Sequence, residues 1–380
     1  MQRYEKYVKH AHFSQEIRVF DIFHQTKFLR VTLFYYLCAL FIALINMKKK
    51  AIFIINLISG TSDKAAIPGL IDQLLDKEKF EYEIAITEYA GHASEIAAKA
   101  KDDGVDMVVA VGGDGTVNEV ARAIVHSNTA LGIIPCGSGN GLARHLQLPI
   151  NVKKSIEIIN AFEVRDLDYG IINGYPFFCT CGMGFDAFIS LKFAEAGKRG
   201  PLTYIENVLR EGLKYEPETY TVMADDETSQ HKAFLISCAN ASQYGNNAYI
   251  APQASMSDGL MDVIIMEPFG LIDAPQISIE MFNKTLNKNN SKIKTFRCKK
   301  LHVHRDNPGA IHYDGDPELK PKGIKIVVNP FADRNQRKPN ALQNAATELF
   351  NEINNIREEI SKSRQKLQQW SKAVQNKLDL

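Results

Sequence analysis

The segment Gly112-Gly113-Asp114-Gly115-Thr116 carries the residue types most committed to chemistry. Glycine lets backbone N–H groups approach phosphate oxygens, and a helix that starts directly after such a turn aims its positive dipole end at the same anion. The spacing therefore predicts a phosphate cradle. Asp114 has the wrong sign for a bare phosphate, so it either faces a cation or works as a base. As a plain strand-to-helix turn, the pentad would instead use Asp114 or Thr116 as an N-cap. A second glycine-rich stretch, Cys136-Gly137-Ser138-Gly139-Asn140-Gly141-Leu142-Ala143-Arg144, also runs into a helix, and Asn56-Leu57-Ile58-Ser59-Gly60-Thr61 is a third polar turn after a strand. Asn118 and Glu119 lie one turn into the first helix, within reach of a nucleotide or a metal-bound water.

Three such loops need a scaffold whose strands all end on one rim. Apolar, strand-like runs at 51–57, 82–87, 107–111 and 131–135 alternate with helix-like segments at 63–78, 94–101 and 117–125. Continuous apolar strands separated by helices predict a parallel α/β sheet covered on both faces, with ligands at the carboxyl ends of the strands. Beyond about Val164 the pattern changes. Segments 168–172 and 177–181 flank Asn173-Gly174, a hairpin signal, and 219–224 and 233–239 flank the polar stretch 225–230. Further strands are expected at 259–266, 293–303 and 324–328, with a helix at 271–287. Strand runs after βα units predict a second, antiparallel domain built as a sandwich, dividing the body into 47–165 and 166–333. A site is expected in the cleft between them.

The bulk properties agree with a folded enzyme-sized body. Of 380 residues, 45% are hydrophobic and 23% charged, which excludes disordered and collagen-like classes, and a net charge of +1 gives nucleic-acid binding no support. Cys179 and Cys181, at C-x-C spacing in an apolar run, suit a buried reduced pair better than a metal site and favour a cytosolic compartment. Residues 31–45 form an uncharged apolar run shorter than the roughly 20 residues that span a bilayer. It reads as a membrane-associated anchor, as a buried helix, or as sequence ahead of a true start at Met47. The last is favoured because Met47-Lys48-Lys49-Lys50 leads straight into a strand. After Pro339 there is neither Pro nor Gly, and Leu349, Ile353, Ile356, Ile360, Leu367, Trp370 and Val374 alternate at four and three, with Ser363 in the one missing place. That seam predicts a coiled-coil helix over 340–380 able to join copies of the chain, with a single helix docked on the body as the other reading.

GGDGTVNE at 112–119 and GIIPCGSGNGLARHL at 132–146 are supported by NLISG at 56–60, GMGFDA at 182–187, YGNNAYIAPQASMSDGLMD at 244–262 and YDGDPE at 313–318. On these motifs the chain from about Met47 to Phe331 resembles the lipid kinases with a diacylglycerol-kinase catalytic domain, a family that includes bacterial lipid kinases and sphingosine and ceramide kinases. The resemblance implies an NAD-kinase/diacylglycerol-kinase-like two-domain fold, ATP and Mg²⁺, and a membrane lipid hydroxyl as acceptor. It also implies peripheral contact with the inner face of the membrane from the cytoplasm; the charge balance leaves no nucleic-acid partner expected. Carried over residue by residue, it implies ATP contacts at Asn56, Leu57, Ile58, Ser59, Gly60, Thr87, Gly112, Gly113, Asp114, Gly115, Thr116, Val117, Asn118 and Ser138. Ser255, Asp258 and Leu260 match where bacterial members hold a structural Mg²⁺, partly through backbone carbonyls, with an Asp-Gly turn before a strand as the alternative. The family's late Asp-Gly-Glu supplies the acid/base. Here it is Asp314-Gly315-Asp316, and Asp316 is one methylene shorter, so the role falls to Asp316 in a shifted pose or to Asp314 and Asp114. Leu57 stands where the family usually has Pro. A catalytically weak lipid-binding scaffold and an NAD kinase are the rivals. The second lacks a counterpart of GSGNGLAR and has its Asn-Glu pair far downstream of the glycine loop.

Overall fold

The computed structural model describes residues 48–57, 64–196, 215–270, 272–286, 291–320, 323–329 and the single positions 358, 362, 365 and 369. Four apolar strands form its first sheet: β1 (Lys49–Ile55), β2 (Phe80–Ile86), β3 (Met107–Gly112) and β4 (Ala130–Pro135), in the order β2-β1-β3-β4. β3 pairs in parallel with β1 and β4, and all six of its residues are buried, as expected of a strand covered on both faces. The helices of this layer are α1 (Ile67–Leu74), α2 (His92–Asp102), α3 (Asp114–Ile124), α4 (Gly141–His145) and α5 (Val152–Ala161). α3 buries Val117, Val120, Ala121 and Ile124 in one cluster with Val108, Ala110 and Ile133 of the sheet. It starts at Asp114, three residues earlier than its apolar pattern announces, because an extended Gly113 caps it. A carboxylate in the first turn is favoured by the helix dipole.

The second layer contains β5 (Tyr169–Ile172), β6 (Tyr175–Phe177), β7 (Thr180–Gly184), α6 (Phe185–Ala196), β8 (Glu218–Ala224), β9 (Glu227–Ala233) and β10 (Leu235–Ala239). It continues with β11 (Met261–Met266), α7 (Ala274–Phe282), β12 (Ile293–Cys298), β13 (Lys300–Arg305), β14 (Gly309–Tyr313), β15 (Asp316–Lys320) and β16 (Gly323–Asn329). Two six-stranded antiparallel sheets result, in the orders β12-β11-β10-β7-β14-β15 and β6-β5-β16-β13-β8-β9. Their inner faces share one core, with Ile172, Phe177, Tyr220 and Val222 from one sheet against Cys181, Met183, Ile236 and Val263 from the other.

Several boundaries differ from the expectation. The run 177–181 is not one strand: β6 ends at Phe177, β7 begins at Thr180 in the other sheet, and the N–H groups of Phe178 and Cys179 between them are taken by Asp314. The run 293–303 likewise breaks at Lys299, where Asp225 accepts the N–H groups of Lys299 and Lys300. β8 pairs with the polar strand β9 rather than with 233–239, which is largely β10 in the opposite sheet. The helices over 63–78 and 271–287 shorten to α1 and α7, each with a proline in its first turn.

Cys136, Cys179, Cys181, Cys238 and Cys298 are buried free thiols. The run 31–45, Met47 and the heptad positions of the tail lie outside the described residues, whereas Glu358, Lys362, Gln365 and Gln369 are helical and exposed. Among the described residues no helix is long and apolar enough to cross a membrane. The chain divides into two compact units, Met1–Lys49 with Lys77–Glu81 and Lys50–Asp76 with Tyr82–Leu380. The glycine-rich loops and the Asp-Gly-Asp turn all belong to the second.

Gly170 and Phe177 oppose each other across β5 and β6, and the ring lies so close that a Cβ on Gly170 would overlap it. Gly170→Ala should destabilise the protein by about 1–3 kcal/mol in urea unfolding. Most of that loss should vanish in a Phe177→Leu background, and an equal loss in both backgrounds would place the strain elsewhere.

Candidate active site

β3 and β4 end side by side, so the loops leaving them are neighbours; Cys136 donates its N–H to the Gly112 carbonyl at 2.7 Å. Gly113 and Gly137 meet backbone to backbone, and a Cβ on Gly137 would lie 2.5 Å from Gly113 Cα. A Cβ on Gly112 would meet Thr116 Oγ1 at 2.5 Å, and that hydroxyl accepts from Asn56 Nδ2 at 3.2 Å, which ties in the turn after β1. Asp114 reaches across to the second loop. Its Oδ2 accepts the Asn140 N–H at 2.7 Å and its Oδ1 the Gly141 N–H at 2.6 Å. Burial raises the Asp114 carboxyl above its usual range, and these two amides and Arg144 oppose that rise. Asn140, in the left-handed region at φ 51°, closes its own loop by accepting from Gly137 N–H and donating to Gly137 O.

The late acidic turn is built by two left-handed residues, Asp314 at φ 53° and Gly315 at φ 86°, between β14 and β15. The Asp314 carboxylate is buried and accepts N–H groups from Phe178, Cys179 and Thr180 at 2.9, 2.7 and 3.2 Å. Burial nevertheless pushes it up to about 6, against those amides and Arg122. The Asp316 side chain is 53% exposed and pairs with Arg122 Nη1 at 2.7 Å. Asn118, buried on α3, extends Nδ2 to the Asp314 carbonyl at 3.5 Å. Glu119 turns away and accepts the Gly91 N–H ahead of α2.

The other expected positions fall as follows. Thr87 is buried, with its N–H on Ile55 O. Val117 packs in the core, Leu57, Gly115 and Ser138 are exposed, and Ile58, Ser59 and Gly60 lie outside the described residues. Several residues to which the sequence reading assigns no role are placed by the structure. Lys64 is buried and donates to Asn56 O at 2.6 Å, and burial lowers its pKa. Arg144 donates to Gly139 O. Asp186 Oδ2 meets His312 Nε2 at 3.0 Å and Tyr244 OH at 3.2 Å. For Arg122 a signal existed: Asp114, Asn118 and Arg122 recur every four residues and so share one helix face.

Ser255, Asp258 and Leu260 were expected to hold Mg²⁺. Asp258 Oδ1 instead accepts the Leu260 N–H, and Ser255 Oγ pairs with Ser257 Oγ. Arg297 places Nη1 3.7 Å from Asp258 Oδ2 and Nε 3.2 Å from Asp262 Oδ1, and donates Nη2 to Gln253 O at 2.9 Å. A guanidinium thus lies beside this turn, and the Ser255 and Asp258 side chains make their contacts within it. Among the described residues no three His, Cys, Asp or Glu side chains gather for a metal.

Residues 50–172 match the diacylglycerol kinase catalytic domain, and residues 180–346 match the YegS C-terminal NAD kinase beta sandwich-like domain. The chain belongs to the diacylglycerol-kinase-type lipid kinases. A diacylglycerol kinase of Staphylococcus saprophyticus is 26% identical over 275 residues, 71% of this chain and 90% of that protein. The Escherichia fergusonii protein named "Probable lipid kinase YegS" is 29% identical over 199 residues, 50% of this chain and 67% of that one. A crystal structure of a diacylglycerol kinase from Bacillus anthracis has the same fold, with a TM-score of 0.59 at 20% identity over 74% of this chain and 94% of that one. This lipid kinase is therefore a phosphotransferase that acts on a lipid alcohol, and its family implies ATP as the donor.

With the Arg297 guanidinium already beside Asp258 and Asp262, the nucleotide-free protein should melt within about 1 °C of the same temperature in EDTA and in millimolar Mg²⁺. Arg297→Ala should make the melting temperature rise with Mg²⁺. A Mg²⁺-dependent rise in the wild type would show that a metal displaces the guanidinium.

Proposed function

We propose that this lipid kinase moves the γ-phosphate of ATP to the hydroxyl of diacylglycerol, or of a related lipid such as a sphingoid base, at a membrane it contacts peripherally from the cytoplasmic side. One observation carries the proposal: a single helix lines up both halves of the reaction. Asp114 at the start of α3 braces the glycine loops, Asn118 touches the Asp314 carbonyl, and Arg122 holds Asp316.

Phosphoryl transfer needs little covalent help from the protein, so positioning and charge neutralisation dominate. Backbone amides of the glycine loops and the start of α3 face the donor phosphates, and ATP brings its own Mg²⁺ as part of the substrate. The acceptor hydroxyl must lose a proton to a carboxylate. Asp114 and Asp314 have their oxygens committed to backbone amides, whereas Asp316 is half exposed. Asp316 is the proton acceptor in this scheme. The names of the relatives, diacylglycerol kinase and probable lipid kinase, support the lipid acceptor, and self-association through 340–380 belongs to the same proposal.

Labelled ATP offered with diacylglycerol, monoacylglycerol, ceramide and sphingoid bases tests it. Phosphorylated diacylglycerol is the expected main product. Asp316→Asn should lower kcat by about two to three orders of magnitude, while Asp316→Glu should preserve or raise it. Lipid binding with no product from any acceptor would favour the scaffold role.

A further inference from the structure

We infer that Arg122 is a positioning residue that fixes Asp316 against the phosphate cradle; this rests on Asp316 as the proton acceptor proposed above. Arg122 belongs to α3 of the parallel layer, yet its hydrogen-bonding groups serve the sandwich. Nε donates to Pro176 O at 3.2 Å on β6, Nη2 to Tyr313 O at 3.4 Å at the end of β14, and Nη1 to Asp316 Oδ2 at 2.7 Å at the start of β15. Nη2 also lies 3.8 Å from Asp314 Oδ2. The guanidinium sits over the Tyr313 ring at 4.8 Å, and that ring stacks on Tyr175 at 5.1 Å.

These contacts separate Arg122 from an ordinary surface ion pair. Two long, solvated side chains gain little by pairing because both must be immobilised. Here the arginine side chain is only 21% exposed. Two of its donors are already spent on backbone carbonyls, so the planar fork is a fixed point before Asp316 arrives. Asp316 then has one defined place, which offsets the uncertainty left by its missing methylene. A lysine ammonium carries the same charge but cannot present three donors in one plane to three acceptors. The 114/118/122 spacing turns α3 into a ruler, with the glycine loops held at one end and the proton acceptor two turns along.

A double-mutant cycle on the full chain tests this, with kcat and KM for ATP and diacylglycerol measured in mixed micelles. Arg122→Ala should lower kcat about 10- to 100-fold, the range for losing a charge-assisted hydrogen bond in the transition state, and leave KM for ATP within about twofold. Arg122→Lys should restore the melting temperature but not kcat. In an Asp316→Asn background, Arg122→Ala should cost less than about a further twofold. If the two losses multiply, or if Arg122→Lys recovers full turnover, Arg122 is general structural support and the inference falls alone. If Asp316→Asn keeps wild-type kcat, the proton-acceptor assignment falls and takes the inference with it.

Discussion

Asp114 stands at the first position of α3 and accepts the N–H groups of Asn140 and Gly141 at 2.7 and 2.6 Å, so one carboxylate is shared between the starts of two helices. Hydrogen bonds to a charged group contribute about 1.5–3 kcal/mol each, and removing the acceptor would leave buried donors unpaired. The rest of the rim follows from this bridge. The two loops are drawn together until Gly113 and Gly137 touch, which no side chain at 137 would allow. Thr116, in the first turn of α3, is then placed to take the Asn56 amide. A carboxylate expected to meet phosphate or metal is here a strut between the two loops, with one oxygen on each of two backbone amides.

α3 also sets the distance between the cradle and the sandwich. Its buried face, Val117, Val120, Ala121 and Ile124, locks it to β3 and β4. Its polar positions, Asn118 and Arg122, meet the turn between β14 and β15. The turn is held from behind as well, because Asp314 gathers three consecutive amides where the chain passes from β6 to β7. Two aspartates, one in each layer, therefore do the same physical job of satisfying amides that a strand or helix cannot pair.

The first layer was legible because its signals are local: apolar strands, glycines at their ends, and helices between them. The sandwich was legible in kind but not in connectivity. An apolar run such as 177–181 looks like one strand whether or not it changes sheet, and the capture of Phe178 and Cys179 by Asp314 comes from 136 and 135 residues away. β9 was missed because an edge strand with an exposed outer face can be almost wholly polar. Asp314-Gly315 was seen as chemistry and not also as the hairpin signal it is. Arg297, which approaches Asp258 from β12, lies outside the motif and could not be placed beside it from the sequence.

Calorimetric titration of a non-hydrolysable ATP analogue into the wild type and Gly137→Ala tests the contact between the two glycine loops most directly. The added methyl would lie 2.5 Å from Gly113 Cα and must pry the loops apart. If they form one amide-lined cradle, the variant should bind the analogue at least about tenfold more weakly, a change of 1.4 kcal/mol or more, while still folding. Wild-type affinity in Gly137→Ala would contradict the account, because the nucleotide would then be held without the contact on which the rim is built.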